Sequence, residues 1–357
     1  MKNFVRKVKN VVIDQDKPIS LIHFITNRCN ARCDHCFIDF GNKDSQSAKI
    51  SIENIEKLSK TFGEQLMNIN LTGGEPFLVK EIEDIARIYF QNTSIDSLFI
   101  TTHGGFTDRI LNFTEKILKD FPNKRIIYSI SIDGFEEVHN KIRKVKNLYR
   151  NAISTYHEIK NLELPVDVNV AITVTPYNYK GILSFYQHLR EVEGIKTISV
   201  TLVRSEGVYT FDQDQSEVLS AYRKLTKKVS EDTKIDGGYD KSNYLGRMTN
   251  TKNKIMNELI ADTHEKNSFI MPCKASRVFG VIYPDGSVSP CETLDKKIGN
   301  LYDVDFNFLE LWNSQTNKEL QKWILETKCF CTYECAWSYN ILTNSSYYGK
   351  FMKSYLG

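Results

Sequence analysis

The segment Leu21-Ile22-His23-Phe24-Ile25-Thr26-Asn27-Arg28-Cys29-Asn30-Ala31-Arg32-Cys33-Asp34-His35-Cys36-Phe37 runs from a short apolar strand, Leu21 to Ile25, straight into three closely spaced thiols. A loop leaving a strand can fold three thiolates around one face of an iron–sulfur cubane. The fourth iron then lacks a protein ligand, the same logic that separates catalytic from structural zinc sites. The plainer alternative is a Cys₃His zinc site completed by His35.

The strand before the thiols is the first of six. Met67–Leu71, Ser97–Thr101, Arg125–Ile132, Val166–Val174 and Thr197–Leu202 read as the others. Helical segments are expected at Ser51–Phe62, Lys80–Tyr89, Thr107–Lys119, Val145–Ile159 and Tyr179–Glu193; Ser51 is an N-cap, with Glu53, Ile55 and Leu58 at helical spacing. Strands alternating with helices imply βα units on a parallel sheet. Six units fall short of the eight of a closed barrel, so a partial (βα)6 barrel is expected, with ligands outside the C-terminal ends of the strands. A polar helical stretch follows from Asp212 to His264. A β-hairpin follows over Val278–Val288, turning at Pro284-Asp285-Gly286-Ser287, and then a helix from Phe308 to Glu326.

The 357 residues suggest two domains, or one with an appendage. The expected division is a 1–18 extension, a 19–205 partial barrel, a 206–270 helical connector and a 271–357 cysteine-bearing domain. A net charge of +3 gives no reason to expect nucleic acid or an anionic membrane surface as partner. No stretch reaches the roughly 20 apolar residues of a membrane span. The basic Met1–Lys7 segment lacks a long apolar run behind it, so no secretion signal is read and the expected location is the cytoplasm. In a reducing compartment, clustered cysteines read as metal ligands rather than disulfides. Of eight cysteines, three lie within 29–36 and five within 273–335.

Cys-x₃-Cys-x₂-Cys followed by an aromatic residue resembles the signature of the radical S-adenosylmethionine (SAM) superfamily. The resemblance implies a [4Fe–4S] cluster on Cys29, Cys33 and Cys36 that binds and reductively cleaves SAM to a 5′-deoxyadenosyl radical. It places Phe37 near the adenine. Thr72-Gly73-Gly74-Glu75-Pro76 resembles the family motif that meets the methionine amino group, with Glu75 serving the ammonium or orienting the loop. Ser129-Ile130-Ser131-Ile132-Asp133-Gly134 resembles the family's Ser-x-Asp-Gly segment. Alternation puts Ser129, Ser131 and Asp133 on one face, where a ribose and a carboxylate would give them partners. His103 stands where many relatives carry Asn. Arg143, four residues after His139, is placed to pair with the SAM carboxylate or a surface acid. Asn169 and Arg204 are further SAM or substrate contacts, or structural polar residues.

Cys273, Cys291 with its Gly-x₄-Cys spacing from Gly286, Cys329, Cys331 and Cys335 resemble the auxiliary-cluster extensions called SPASM and twitch. Five cysteines fit one auxiliary [4Fe–4S] cluster, with one to spare. The spacing leaves open which of Cys329 and Cys331 that is, and a zinc ribbon is the alternative. The resemblance also implies an electron donor such as flavodoxin or ferredoxin. The substrate is a small metabolite, such as a sugar or amino-acid derivative, or a peptide. No leader-gripping domain is expected ahead of Leu21, so a peptide maturase would use a separate leader-binding partner. A zinc-stabilised βα scaffold without radical chemistry is the reading from a different class. No general base or radical quencher is assigned.

Overall fold

The computed structural model describes residues 17–206, 216–242 and 244–356. The expected extension at 1–18, apart from its last two residues, lies outside them. Six strands lie in one parallel run: β1 (Ser20–Thr26), β2 (Asn68–Gly73), β3 (Ser97–Thr102), β4 (Arg125–Ser131), β5 (Val166–Val174) and β6 (Ile198–Leu202). Each sits within two residues of its expected bounds. Between them run α1 (Lys43–Ser47), α2 (Ile52–Ser59), α3 (Ile82–Asn92), α4 (Thr107–Asp120), α5 (Glu136–Arg143), α6 (Leu148–Asn161) and α7 (Ile182–Glu191). Ser51 caps α2 by accepting from the Asn54 amide. The helix expected over 145–159 forms as α6, and an unexpected helix, α5, precedes it; Lys144 and Asn147, both in the left-handed conformation, break the chain between the two. The missed α5 carries His139 and Arg143.

The strands alternate between two environments. Odd positions of β3 and β4 are half-buried apart from the exposed Arg125, and polar toward the strand ends at Thr101, Ser129 and Ser131, whereas Leu98, Ile100, Ile126, Tyr128 and Ile130 are fully buried under the helices. The half-buried face is the concave interior. It carries Ser129, Asn169 and Ser199 in one layer, where the Asn169 amide donates to both serine hydroxyls at 3.3 and 2.9 Å. Above that layer, toward the strand C-termini, Thr101, Ser131, Thr173 and Thr201 face a cavity.

After β6, α8 (Ser216–Ile235) and α9 (Tyr244–Lys266) pack on each other and on the sheet. The C-terminal part follows with β7 (Phe279–Ile282), β8 (Ser287–Ser289), β9 (Gly299–Asn300), α10 (Phe308–Trp312), α11 (Gln315–Glu326), α12 (Glu334–Leu342) and α13 (Tyr348–Leu356). β7 and β8 form the expected hairpin, with Gly286 at φ +80° in its turn. The helix expected over 308–326 is interrupted at Asn313 and restarted by Ser314, whose side chain caps α11.

The hairpin is not a separate appendage to the barrel. β7 pairs in parallel with β1, Ser20 against Phe279 and His23 against Ile282. The result is one nine-stranded sheet in the order β6-β5-β4-β3-β2-β1-β7-β8-β9, with two edges and no closure. The auxiliary cysteines are therefore carried on the same sheet that positions the first cysteine loop.

Candidate active site

Two glycines fix the first cysteine loop to the end of β2. The Gly74 amide donates to the Thr26 carbonyl and the Glu75 amide to the Arg28 carbonyl. A Cβ on Gly73 would lie 2.0 Å from the Thr26 oxygen, and one on Gly74 2.1 Å from the Arg28 oxygen. These positions exclude any side chain because backbone meets backbone there. The close approach that the Gly-Gly pair permits is thus to the cysteine loop itself.

Glu75 is fully buried. Its carboxylate accepts from the Phe77 amide, the Thr102 hydroxyl and the His103 amide. That carboxylate braces the ends of β2 and β3 and does not line the cavity. His103 accepts the Gly105 amide at Nδ1, so its proton sits on Nε2 and is donated to Asn30 Oδ1 at 2.8 Å. Burial lowers its pKa, which keeps the ring neutral in this role. The residue standing where relatives carry Asn thus ties β3 to the cysteine loop. The loop's other side is held by α5: Arg32 and Asp34 amides donate to the Arg143 and Ile142 carbonyls.

Asp133 lies two residues beyond the end of β4, and alternation no longer governs where it points. Its Oδ2 receives Arg143 Nε at 2.9 Å and Nη2 at 2.8 Å, and its Oδ1 the Thr173 amide. Burial opposes both charges. Arg143 nevertheless holds the Asp133 pKa lowered, and Asp133 holds that of Arg143 raised. Breaking a buried pair leaves an uncompensated charge. Asp133→Asn should therefore cost about 3–5 kcal/mol, read by thermal or denaturant unfolding. Because the Asp133 pKa is depressed, this contribution is in place at neutral pH. It is lost as the pH falls through that lowered value.

A cavity of about 250 Å³ opens at the strand C-termini. It is lined by Cys29, Cys33 and Cys36, by Phe37, Gly73 and Gly74, by Ser131 and Arg143, and by Arg204 and Glu292. Of the residues expected to touch SAM, Glu75, Ser129, Asp133 and Asn169 do not line it. His35, which sequence reasoning considered only for zinc, does line it, and its buried Nδ1 has no hydrogen-bond partner. Glu292 also lines it without a role assigned from the sequence, 88 positions from its partner Arg204.

Burial pushes Cys29 up to about 12 and raises Cys33 and Cys36. Coordinated metal reverses that preference, since a coordinating thiol is deprotonated outright. Three thiols and an orphaned imidazole nitrogen on one cavity suit a cluster with a further ligand. Among the described residues no three His, Cys, Asp or Glu groups close around a point that could hold a single metal ion.

At the other end of β1 and β7, Cys273, Cys291, Cys329 and Cys331 line a second cavity, with Met271, Trp337 and Asn340. Cys335 does not. It sits in the first turn of α12, where its electrostatic neighbours are Glu292, Arg204, Glu334 and Lys252. Cys331, in contrast, feels Cys273 and Cys291.

This fold and these two thiol sets define a radical SAM enzyme with an auxiliary iron–sulfur domain. The Radical SAM superfamily matches residues 24–189, and the SPASM iron–sulfur cluster-binding domain matches 273–336. The chain belongs to that superfamily, whose cofactors are [4Fe–4S] clusters and SAM.

Among its relatives is the sporulation killing factor maturation protein SkfB of Bacillus subtilis, 24% identical over 82% of this chain and 64% of SkfB. Another is a GTP 3′,8-cyclase of Aquifex aeolicus, 28% identical over 85% of this chain and 91% of the cyclase. The chain spans only 42 to 64% of the length of SkfB and the next two curated relatives it matches. The solved structure of anSMEcpe with bound AdoMet shares the fold, with a TM-score of 0.61 and 19% identity, covering 95% of this chain and 96% of that one. No helix among the described residues is long and apolar enough to cross a membrane.

Proposed function

We propose that the protein reductively cleaves SAM and directs the resulting radical at a hydrogen atom of a peptide side chain. The observation that carries this reading is the shared cavity. The three loop thiols and Glu292, the residue after auxiliary Cys291, face the same space. A [4Fe–4S] cluster on Cys29, Cys33 and Cys36 supplies, when bound, the electron for SAM cleavage.

The chain's own residues do the rest. Gly73, Gly74 and His103 hold the cysteine loop in register. Phe37 and Ser131 line the space for SAM, and His35 Nδ1 offers it a hydrogen-bonding site. Arg143, fixed by Asp133, presents a cation at the cavity wall. Cys273, Cys291, Cys329 and Cys331 are the auxiliary ligands, and Cys335 is the spare. The barrel is read as 19–205, joined through the 206–270 helices to the cluster domain at 271–357. An electron donor of the flavodoxin or ferredoxin kind, and a cytoplasmic setting, belong to the same reading.

A peptide is favoured over a nucleotide for two reasons. SkfB is by name a maturation protein, and anSMEcpe has been solved with AdoMet and the Cp18Cys peptide. The cavity offers a triphosphate no uncommitted cation among its described lining residues: Arg143 is paired with Asp133, and Arg204 with Glu292 and Glu334.

The test is anaerobic. Reconstituted protein with dithionite and SAM should yield 5′-deoxyadenosine and methionine. Neither product from iron-loaded, reduced protein would contradict the reading.

A further inference from the structure

We infer that the face around the mouth of the auxiliary cavity docks an acidic one-electron carrier protein, of the flavodoxin or ferredoxin kind; the inference rests on the reading above and names where that partner sits. Ile270 and Phe330 line the auxiliary cavity and are also 36 and 38% exposed. The cavity therefore opens to solvent at these two side chains. Phe330 stands between Cys329 and Cys331, so two of the auxiliary thiols flank a residue of the opening. On α11, Trp323 and Leu325 stand on either side of the cavity residue Ile324, and both are exposed. Four large apolar side chains are thus left to water around one cavity. Grouped in this way, rather than scattered singly, they mark an interaction surface.

The stretches that carry these side chains are basic. Residues 266–274, 294–297 and 322–331 hold six lysines against two acids, Asp295 and Glu326, an excess larger than the net +3 of the whole chain. Lys296 Nζ lies 4.5 Å from the centre of the Trp323 ring, which sets a cation on the exposed aromatic itself. Neither Lys296 nor Lys328 has an ion-pair partner among the described residues. An apolar centre with a charged rim is the anatomy of a protein interface. The sign of the rim selects an acidic partner and speeds its encounter.

The first cysteine loop offers a carrier less charge. Residues 28–49 hold four bases against three acids. Arg32 is folded over the Phe40 ring and donates to the Cys29 and Ala31 carbonyls, and Lys144 is paired with Asp34. The cavity on that side is the one assigned to SAM. A partner drawn by charge therefore meets the auxiliary face. Contacts between redox partners are among the smaller protein interfaces, so a patch of four apolar side chains is of the right scale. The exchange served by the contact is of one electron. The carrier is oxidised by one as the iron–sulfur group of the auxiliary site is reduced by one, with no bond made or broken.

The experiment is anaerobic calorimetry of the reconstituted holoprotein with an oxidised acidic flavodoxin, at low and at high salt, with sedimentation of the holoprotein alone beside it. Flavodoxin should bind, and high salt should weaken it at least tenfold. Lys296→Glu combined with Lys328→Glu should weaken it at least tenfold at low salt with iron content retained. Lys43→Glu combined with Lys49→Glu, beside the first cysteine loop, should leave it within about twofold. Should the first pair lose iron, Lys296→Glu with Lys322→Glu, neither next to a cysteine, should weaken it severalfold. Poly-L-glutamate, which has the charge without the apolar contact, should bind at least tenfold more weakly than flavodoxin. Any of four results would overturn the inference: no flavodoxin binding, unchanged affinity in an iron-loaded lysine variant of the auxiliary face, loss of affinity in the Lys43 and Lys49 pair alone, or poly-L-glutamate bound as tightly. A dimer that the Lys296 and Lys328 pair breaks, with no flavodoxin bound, would give the face to a second copy of this chain and overturn it as well. Flavodoxin binding at this face without 5′-deoxyadenosine formation would instead contradict the proposed reaction and leave the docking face standing.

Discussion

Replacing Cys29, Cys33 and Cys36 together with alanine should remove about half of the iron and abolish 5′-deoxyadenosine formation. The wild-type protein is expected to hold about eight irons, as two cubanes. The three thiols lie on a loop anchored by Gly74, Glu75, His103 and the carbonyls of α5. None of those anchors uses a cysteine sulfur, so the variant should keep its fold and its auxiliary site. Iron and sulfide analysis of the folded variant should give about four irons, and chromatography no product from SAM. Undiminished SAM cleavage, or a folded variant holding no iron at all, would contradict the assignment of the two sites.

The second large effect separates the five C-terminal cysteines. Alanine at Cys273, Cys291, Cys329 or Cys331 should cost about half of the iron, because each lines the auxiliary cavity. Alanine at Cys335 should leave about eight irons, because Cys335 is not among the residues that line that cavity. Burial pushes Cys273 up to about 12 and Cys329 to about 11, so these sulfurs too need bound metal to become thiolates. Loss of half the iron in Cys335→Ala, with Cys331→Ala unaffected, would reverse the assignment.

The strands and the first cysteine loop were legible because their signals are local. Apolar runs of strand length, turn residues and the 29–36 spacing each occupy a few neighbouring residues. What depended on distant pairing was not. Nothing in Phe279–Ile282 announces that it will lie beside Ser20–His23 and carry the auxiliary cysteines onto the barrel sheet. Spacing leaves the spare cysteine open between Cys329 and Cys331, whereas both of these line the auxiliary cavity and Cys335 does not.

Asp133 was grouped with Ser129 and Ser131 by alternation, yet β4 stops at Ser131 and the carboxylate turns to Arg143. Ser129 is expected to meet a ligand because polar residues inside a strand need partners, and Asn169 to be a ligand contact or a structural polar residue. They found those partners in each other and in Ser199. Nothing in the local sequence around Glu292 marks it as a cavity residue. Its place in the cavity follows from contacts with Arg204, 88 residues away, and with Tyr333, 41 residues away.

The central claim is that SAM meets the protein at the Cys29–Cys33–Cys36 site and not at the auxiliary one. Low-temperature electron paramagnetic resonance of the dithionite-reduced protein, recorded with and without SAM, tests it most directly. SAM should shift the reduced-cluster signal of the wild type and of Cys291→Ala, and should leave the residual signal of the Cys29/Cys33/Cys36 triple alanine variant unchanged. A SAM-dependent shift that survives in the triple variant, or that is absent from an iron-loaded wild type, would contradict the account.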